Sequence, residues 1–347
     1  MRILLIGNFS PPYDEESLHN FFLLNRLKEE GNDCCVINLS ENSFKTKGFI
    51  GFTNWIYFIV KLLRNIWRKD VLHYLTKGYT RPALMRLMSS VCVGWLFRVK
   101  PIVTLHSEMF SILGRTRSRL MGEPSLRITF ALAYKVICTD RETYEAASYF
   151  KSKNNFEVIP VLTHSSGGIK RDEPAAPERL KNKKRVIVFS NVIYPSFVFE
   201  ILNHLLTRHP LAPDTAIVVS VFEQPAEKLQ HVIEEFGRKY SDNLVFIEST
   251  DIRQMFTAYS RANYVVRPLS CDSEILFPGF IAAVKKPVRT KEYLHFSTSL
   301  FLIKGGGISD LCASIVSFLL REEPHELLSS DTDTDFYARL RKIYRQR

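Results

Sequence analysis

Residues 2–39, RILLIGNFSPPYDEESLHNFFLLNRLKEEGNDCCVINL, contain the pattern that decides the fold. Residues 2–6 form a short apolar run that is typical of a buried strand. Residues 17–30 then carry large apolar side chains at helical spacing, and Gly31 is placed to end that helix. A second apolar run follows at 34–39. Because a strand, a helix and a strand in succession form the unit of a parallel sheet, this stretch predicts an α/β fold.

The same alternation continues along the chain and restarts after a polar interruption. Further strands are predicted at 71–75, 101–105, 135–138, 156–161, 186–190, 215–221, 244–248 and 264–267. Helices are predicted at 197–207, 226–240 and 251–261, the last with Asp251 as its N-cap. Two runs of this alternation predict two Rossmann-like parallel-sheet domains that face each other across a cleft.

The polar interruption predicts where the domains divide. Residues 163–184, THSSGGIKRDEPAAPERLKNKK, combine Gly, Pro and many charges with almost no apolar residues, which is typical of a linker or an exposed loop. We therefore expect an N-terminal domain at 1–165, a linker at 166–184 and a C-terminal domain at 185–330. Residues 331–347 are expected to form a final helix that packs back on the first domain.

The composition excludes several classes of protein. Apolar residues make up 46% and charged residues 24% of the 347, which are ordinary values for a globular chain and exclude general disorder. The six cysteines have neither a regular spacing nor a zinc-ligand spacing, so a disulfide scaffold and a zinc site are not expected. The apolar stretch 49–60 is broken by Thr53 and Asn54, whereas a membrane span needs about 20 apolar residues.

The net charge of +11 suggests a polyanion, an anionic membrane or a phosphate-bearing ligand as a partner, and charge alone does not choose among them. Residues 51–69, GFTNWIYFIVKLLRNIWRK, have the pattern of a basic interfacial helix, although an ordinary core-packed helix fits equally well. Residues 85–100 add a second basic, apolar helix. Two such segments favour an anionic membrane surface over nucleic acid, since no nucleic-acid-binding module is recognisable. We expect a cytoplasmic protein held peripherally on the inner face of the cell membrane.

Ligands of parallel sheets bind beyond the carboxyl ends of the strands, so the residues that follow each strand are the site candidates. Gly7 and Asn8 follow the first strand. Glycine allows a tight turn and the next helix offers free amides to an anion, but a plain turn is as good an interpretation because no G-x-G-x-x-G is present. His106 follows the strand at 101–105, where it would hydrogen-bond a sugar hydroxyl, stabilise charge or bond within its own loop.

Residues 264–288, YVVRPLSCDSEILFPGFIAAVKKPV, form the third candidate element. A strand ends near Arg267, a polar loop carries Asp272 and Glu274, and 279–284 is predicted to begin a helix. A carboxylate and loop amides here would receive a sugar and a phosphate, with Arg267 supplying positive charge. A surface loop with two acids is the alternative interpretation.

The order of these parts resembles the retaining glycosyltransferases of the GT-B fold, specifically family 4, over nearly all of the chain. The similar elements are the strand before Pro11-Pro12, the strand-His-Ser element at 103–107, the strand that ends at 158–160, and the Arg-Pro-x-x-x-Asp-x-Glu loop from Arg267 that runs on to 288. The resemblance implies that His106 contacts the donor sugar. It also implies that Asp272, Ser273 and Glu274 bind the nucleotide-sugar, with His106 and Asp272 as the catalytic pair.

The chain departs from the family pattern at three places. The second acid of the family, eight residues after the first, falls on Phe280. Residues 190–200 lack the basic pair that holds the diphosphate, and Asp14-Glu15-Glu16 replaces the glycine pair of the first loop. Buried diphosphate charge without cations is costly, so either Arg267, Lys285 or Lys286 substitutes or the donor site is damaged.

Two functions follow from the resemblance. The first is a hexosyl- or related glycosyltransferase that moves a sugar from a nucleotide-sugar donor to a glycan or polyprenyl-linked acceptor in surface polysaccharide assembly. Neither a metal nor another cofactor is expected. The alternative is a catalytically degenerate GT-B subunit that binds or scaffolds an active glycosyltransferase.

Overall fold

In the computed structural model, the chain forms two compact units. One comprises residues 1–12, 16–168 and 329–347, and the other comprises residues 13–15 and 169–328. The structure describes residues 1–9, 13, 15–40, 50–51, 54–76, 81–106, 124–139, 141–150, 153–159, 162–164, 180, 182–189, 195–208, 211–221, 227–248, 250–269, 280–289, 293–305, 308–320 and 335–346.

The first unit contains a six-stranded sheet in which every described pair of strands is parallel. Its strands are β1 (Arg2–Gly7), β2 (Asp33–Asn38), β3 (Val71–Thr76), β4 (Lys100–Leu105), β5 (Lys135–Cys138) and β6 (Phe156–Val158). The helices are α1 (Glu15–Glu29), α2 (Trp55–Ile66), α3 (Arg81–Leu96), α4 (Pro124–Leu132) and α5 (Arg141–Ser148). The strand order is β2-β1-β3-β4-β5-β6, so the winding direction reverses between β1 and β3. Such a reversal is where doubly wound sheets bind ligands.

The central strands of this sheet form because their sequences are mostly apolar and are buried on both faces. All six residues of β3 are buried, and so are the last five residues of β1. Helix α1 ends as expected at Gly31, which adopts a left-handed φ of 79°. The predicted α/β class is confirmed in this half of the chain.

In the second unit, six strands pair in the order β10-β9-β8-β11-β12-β13. They are β8 (Arg185–Phe189), β9 (Thr215–Val221), β10 (Leu244–Glu248), β11 (Tyr264–Leu269), β12 (Phe280–Arg289) and β13 (Tyr293–Gly305), whereas the short strand β7 (Leu162–His164) belongs to the first unit. The helices of this half are α6 (Pro195–Arg208), α7 (Glu227–Lys239), α8 (Ile252–Arg261) and α9 (Ile308–Leu320). Strands β8 to β11 pair in parallel, as predicted. Asp251 caps α8 as predicted, since its carboxylate accepts from the amides of Arg253 at 2.8 Å and Gln254 at 3.2 Å.

The prediction that a helix begins at 279–284 is wrong, because the residues from Phe280 onward belong to β12. Strand β12 pairs antiparallel with β11 and with β13. The run carries β-branched residues and Pro287, which a helix interior does not accommodate. Pro287 lies at a register shift of the β12–β13 pair, a position that proline tolerates because no ladder hydrogen bond is required there.

Helix α10 (Asp335–Arg345) belongs to the first unit and packs against its sheet. The Tyr344 hydroxyl lies 2.5 Å from Nδ1 of His73 in β3, and Nε2 of His73 lies 2.7 Å from the Thr104 hydroxyl in β4. The Arg339 guanidinium donates to the Glu157 carboxylate at 2.7 Å. Partial burial alone would raise the pKa of Glu157, but hydrogen bonds from Lys135 and Arg339 hold it below its usual value.

None of the helices that the structure describes combines the length and the apolar character needed to cross a bilayer.

Candidate functional site

The carboxyl edge of the first sheet brings three of the predicted site residues to one place. Strand β1 ends at Gly7, with Asn8 directly after it, and β4 ends just before His106. The backbone amide of His106 donates to the Thr76 carbonyl at 2.9 Å, which ties it to the end of β3. Gly7 and Asn8 therefore lie at the end of β1 and His106 at the end of β4, on either side of the carboxyl end of β3 and next to the reversal between β1 and β3.

The beginning of α1 adds a buried polar surface to this edge. Glu16, His19 and Asn20 are each no more than 2% exposed although all three are polar. The Asn20 amide donates to the Asn8 carbonyl at 2.7 Å, and the Asn8 amide lies 3.4 Å from the Glu16 carboxylate. Such partners reduce the cost of burying polar groups. We refer to Asn8, Glu16, His19, Asn20 and His106 as the edge cluster.

Two imidazole rings are in edge-to-face contact in the edge cluster. The centroids of the His19 and His106 rings are 5.4 Å apart, with an angle of 65° between the ring planes. His106 is half-buried, whereas His19 is almost fully buried. An imidazole both donates and accepts hydrogen bonds and changes its charge near neutral pH. The pair can therefore bind hydroxyl groups or stabilise developing negative charge at the sheet edge.

Charges of both signs act on Tyr74, a fully buried residue of β3. Burial raises the pKa of Tyr74 well above its usual value, an effect that the positive charge of Arg86 reduces and the negative charge of Glu16 increases. The phenol is therefore neutral at physiological pH. Its hydroxyl is buried and has no hydrogen-bond partner among the residues that the structure describes. Glu16 and Arg86 thus supply one charge of each sign next to a neutral polar group.

Gly7 is required at the end of β1 by close packing. A Cβ atom at this position would lie 3.0 Å from the Leu75 carbonyl oxygen and 3.2 Å from the Asn20 amide nitrogen. The Leu75 oxygen belongs to a buried strand and cannot move aside. Gly7 therefore allows β1, β3 and α1 to approach closely enough to form the edge cluster.

The other predicted site residues belong to the second unit. Arg267 lies in β11, opposite Ala283 of β12, and Lys285 pairs with Val265. The two basic residues are thus close in register on neighbouring strands. Lys286 lies at the register shift between Lys285 and Pro287. Asp272, Ser273 and Glu274 lie outside the described residues, so their predicted roles remain predictions.

Comparison with solved structures shows what the chain resembles. A Listeria monocytogenes protein assigned as a UDP-N-acetylglucosamine 2-epimerase is 13% identical, with a TM-score of 0.50, over 76% of this chain and 73% of that one. HepE from Anabaena, solved with UDP and glucose, is 17% identical with a TM-score of 0.48 over the same shares. MnaA from S. aureus, solved with UDP, is 14% identical with a TM-score of 0.47, again over the same shares. No protein-family model matches the sequence, and no curated protein matches it significantly.

The fold is of the GT-B type. At such low identity the likeness extends to the fold alone. The predicted fold class is therefore confirmed, whereas the resemblance to family 4 in particular stays a prediction.

Sequence reasoning missed Glu16, His19 and Asn20, although a signal for them was present. The rule that selects residues directly after a strand stops at Asn8, and α1 begins several residues later. Glu16 and His19 are three residues apart, so they share one side of the helix with the buried apolar stripe. A polar pair on an otherwise apolar helix face indicates buried hydrogen bonding at a site.

Among the described residues, no group of three or more His, Cys, Asp or Glu side chains is arranged to hold a metal ion.

We expect Gly7→Ala to destabilise the protein by about 1–3 kcal/mol, because the added methyl group forces β1 away from Leu75 and from α1. Urea unfolding followed by circular dichroism measures the change. Gly237→Ala is the matched control, since its nearest neighbour is the Phe246 ring at 3.8 Å and it lies inside α7. That change is expected to be neutral or to stabilise by up to about 1 kcal/mol. Equal effects of the two substitutions would contradict the packing argument.

Proposed function

We propose that the chain is a retaining glycosyltransferase that moves a sugar from a nucleotide-sugar donor to a glycan or lipid-linked acceptor in surface polysaccharide assembly. The edge cluster is the observation that carries the proposal. It combines two imidazoles, a buried carboxylate and side-chain amides, which are the groups that bind sugar hydroxyls. It lies at the reversal point of a doubly wound sheet, where such folds bind their ligands. The similarity in fold to a UDP-sugar epimerase is consistent with this class of ligand.

In the proposed reaction, the bond between the anomeric carbon and the donor diphosphate breaks, and a bond to an acceptor oxygen forms as that oxygen loses its proton. Catalysis comes mainly from positioning and from stabilising the leaving diphosphate. His106 would donate a hydrogen bond to the transferred sugar, and the Glu16 carboxylate would accept hydrogen bonds from hydroxyl groups in the same site. We assign no step to a metal.

The second unit would hold the nucleotide part of the donor. Arg267, Lys285 and Lys286 are the basic residues proposed to compensate the diphosphate, since charge-assisted hydrogen bonds to phosphate are strong. Asp272, Ser273 and Glu274 would contact the sugar and the nucleotide. Arg267 and Lys285 are already close in the strand register, which supports their acting together.

A panel of UDP-, GDP-, dTDP- and ADP-sugars, with the matching free nucleotides, tests donor binding by thermal unfolding. A donor at about 100 times its Kd stabilises the folded protein by about 2.7 kcal/mol, so at least one member of the panel should raise the midpoint by several degrees. A folded sample that binds no member of the panel would contradict the proposal.

The alternative is a degenerate GT-B subunit that scaffolds an active transferase, and one observation favours it. The family places an acid and a helix where this chain has Phe280 and the strand β12. This subunit would be recovered from native membranes together with a transferase and would show no turnover of its own. Turnover by the purified chain would eliminate it.

A further inference from the structure

We propose that α2, α3 and the turns that follow them form a docking face for an anionic lipid bilayer. The docking face comprises the apolar residues Ile56, Leu63, Trp67, Met85, Trp95 and Leu96 with the basic residues Arg64, Arg68 and Arg98. This inference stands on the geometry of the first unit and does not depend on the proposed sugar transfer.

Helix α2 has two apolar faces, and the core accounts for only one of them. Phe58 and Leu62, four residues apart, are fully buried, as is Ile66 one further turn along. On a different stripe, Ile56 is 72% exposed and Trp67 is 65% exposed, with Leu63 between them at 40%. A helix that only packs on a core would carry polar residues on that outer stripe.

Helix α3 extends the same surface. Leu96 is 69% exposed, Trp95 is 60% exposed, and Met85 is exposed on the same side of the helix as Leu96. The rings of Trp67 and Phe97 are in edge-to-face contact, with centroids 6.1 Å apart, so the ends of α2 and α3 adjoin. Adjoining exposed aromatic and aliphatic residues mark an interaction surface, whereas isolated ones do not.

The charges of these segments all have one sign. Residues 54–69 and 81–100 carry four Lys or Arg each, and neither segment contains Asp or Glu. Arg64, Arg68 and Arg98 are exposed and form no ion pair with any residue that the structure describes. An apolar face bordered by uncompensated arginines is complementary to an anionic bilayer, which accepts the apolar groups below its headgroups and the arginines among its phosphates.

The backbone at the two helix ends points to a role for the arginine side chains. Arg68 and Arg98 follow α2 and α3 with left-handed φ angles of 62° and 57°. Glycine adopts this conformation without the steric cost that a side chain incurs, and the chain does use glycine at the equivalent end of α1, at Gly31. Among the residues that the structure describes, the two helix ends on the docking face are the ones that carry an arginine in this conformation. At these two positions an arginine stands where glycine would be favoured for folding. This is expected if the arginine side chains bind lipid phosphates.

Flotation with phosphatidylcholine vesicles, with and without about 30% phosphatidylglycerol, tests the proposal on the full chain. We expect binding to the anionic vesicles, weaker binding at high salt and little binding to the neutral ones. The chain has three tryptophans, and all of them are exposed. Trp55 lies on α2, Trp67 directly after α2, and Trp95 on α3. Their fluorescence should therefore shift to the blue on binding. Failure to bind anionic vesicles would overturn the proposal.

Two sets of variants separate docking from folding. Arg68→Gly with Arg98→Gly should leave stability unchanged or raise it, yet weaken binding to anionic vesicles by about 10- to 30-fold. Trp67→Ser with Leu96→Ser should weaken binding to anionic vesicles and so reduce the blue shift that Trp55 and Trp95 still report. The matched control is Ile128→Ser with Tyr149→Ser, since these residues are 44% and 54% exposed elsewhere on the unit and should not affect binding.

Unchanged vesicle binding in the Arg68→Gly, Arg98→Gly variant would contradict the proposal. A dimer in sedimentation that Trp67→Ser with Leu96→Ser dissociates would also overturn it, because the face would then belong to a second copy of the chain.

Discussion

His106→Ala is expected to lower the rate of sugar transfer at saturating donor by about 10²-fold, because the imidazole is proposed to hold the transferred sugar in its reactive position. The imidazole lies at the end of β4 within the edge cluster, next to His19. Because the nucleotide is proposed to bind mainly through the second unit, its affinity should change little. Initial rates and thermal shifts measured on the same preparation separate the two effects.

Two further substitutions make the test specific. His106→Asn retains a hydrogen-bond donor and should recover part of the lost rate. His231→Ala removes an exposed histidine of α7 and should change nothing. If His106→Ala lowers nucleotide affinity and transfer equally, the imidazole does not act on the sugar.

Acidification from about pH 6.5 to about pH 4.5 is expected to cost the first unit about 2 kcal/mol of stability through His73 alone. Burial between β3 and α10, with a smaller effect of His19, lowers the pKa of His73 to about 3. In that pH window the unfolded chain binds a proton at this residue and the folded chain does not. The stability is therefore complete above the unfolded pKa and falls as the pH is lowered.

Tryptophan fluorescence reports this unfolding selectively, since all three tryptophans belong to the first unit. His73→Gln keeps a polar side chain between Tyr344 and Thr104. It should lower the number of protons taken up on unfolding in this pH window by about one. Tyr344→Phe should destabilise by about 1–3 kcal/mol, because Nδ1 of His73 then stays buried without its partner. An unchanged pH dependence in His73→Gln would show that another group governs the acid response.

The fold was predictable from the sequence wherever burial is continuous along the chain. Strands such as β3 and β9 are buried on both faces, so their sequences are mostly apolar. The start of β12 was not predictable in this way, since Phe280–Arg289 has no strict alternation and its antiparallel partners decide its conformation. The contact of Tyr344 with His73 joins residues 271 apart in sequence, which no local pattern reports.

The candidate site was predictable only in part. The rule that ligands bind beyond strand ends selects Gly7, Asn8 and His106, and the structure gathers them at one edge. The sequence analysis did not select Glu16 and His19 as site residues, because in sequence they are polar positions of a helix like any others. Their role depends on which helix turn lies over the end of β1, and this is a property of packing.

Transfer of a radiolabelled sugar by the purified chain is the most direct test of the proposed activity. The donor would be the nucleotide-sugar that gives the largest thermal shift, and the acceptors would be membrane extracts from the source cells. We expect label in a glycan or lipid fraction, and we expect that label to be lost with His106→Ala. Binding of the donor without transfer to any acceptor would contradict an active transferase and leave the degenerate scaffold as the function.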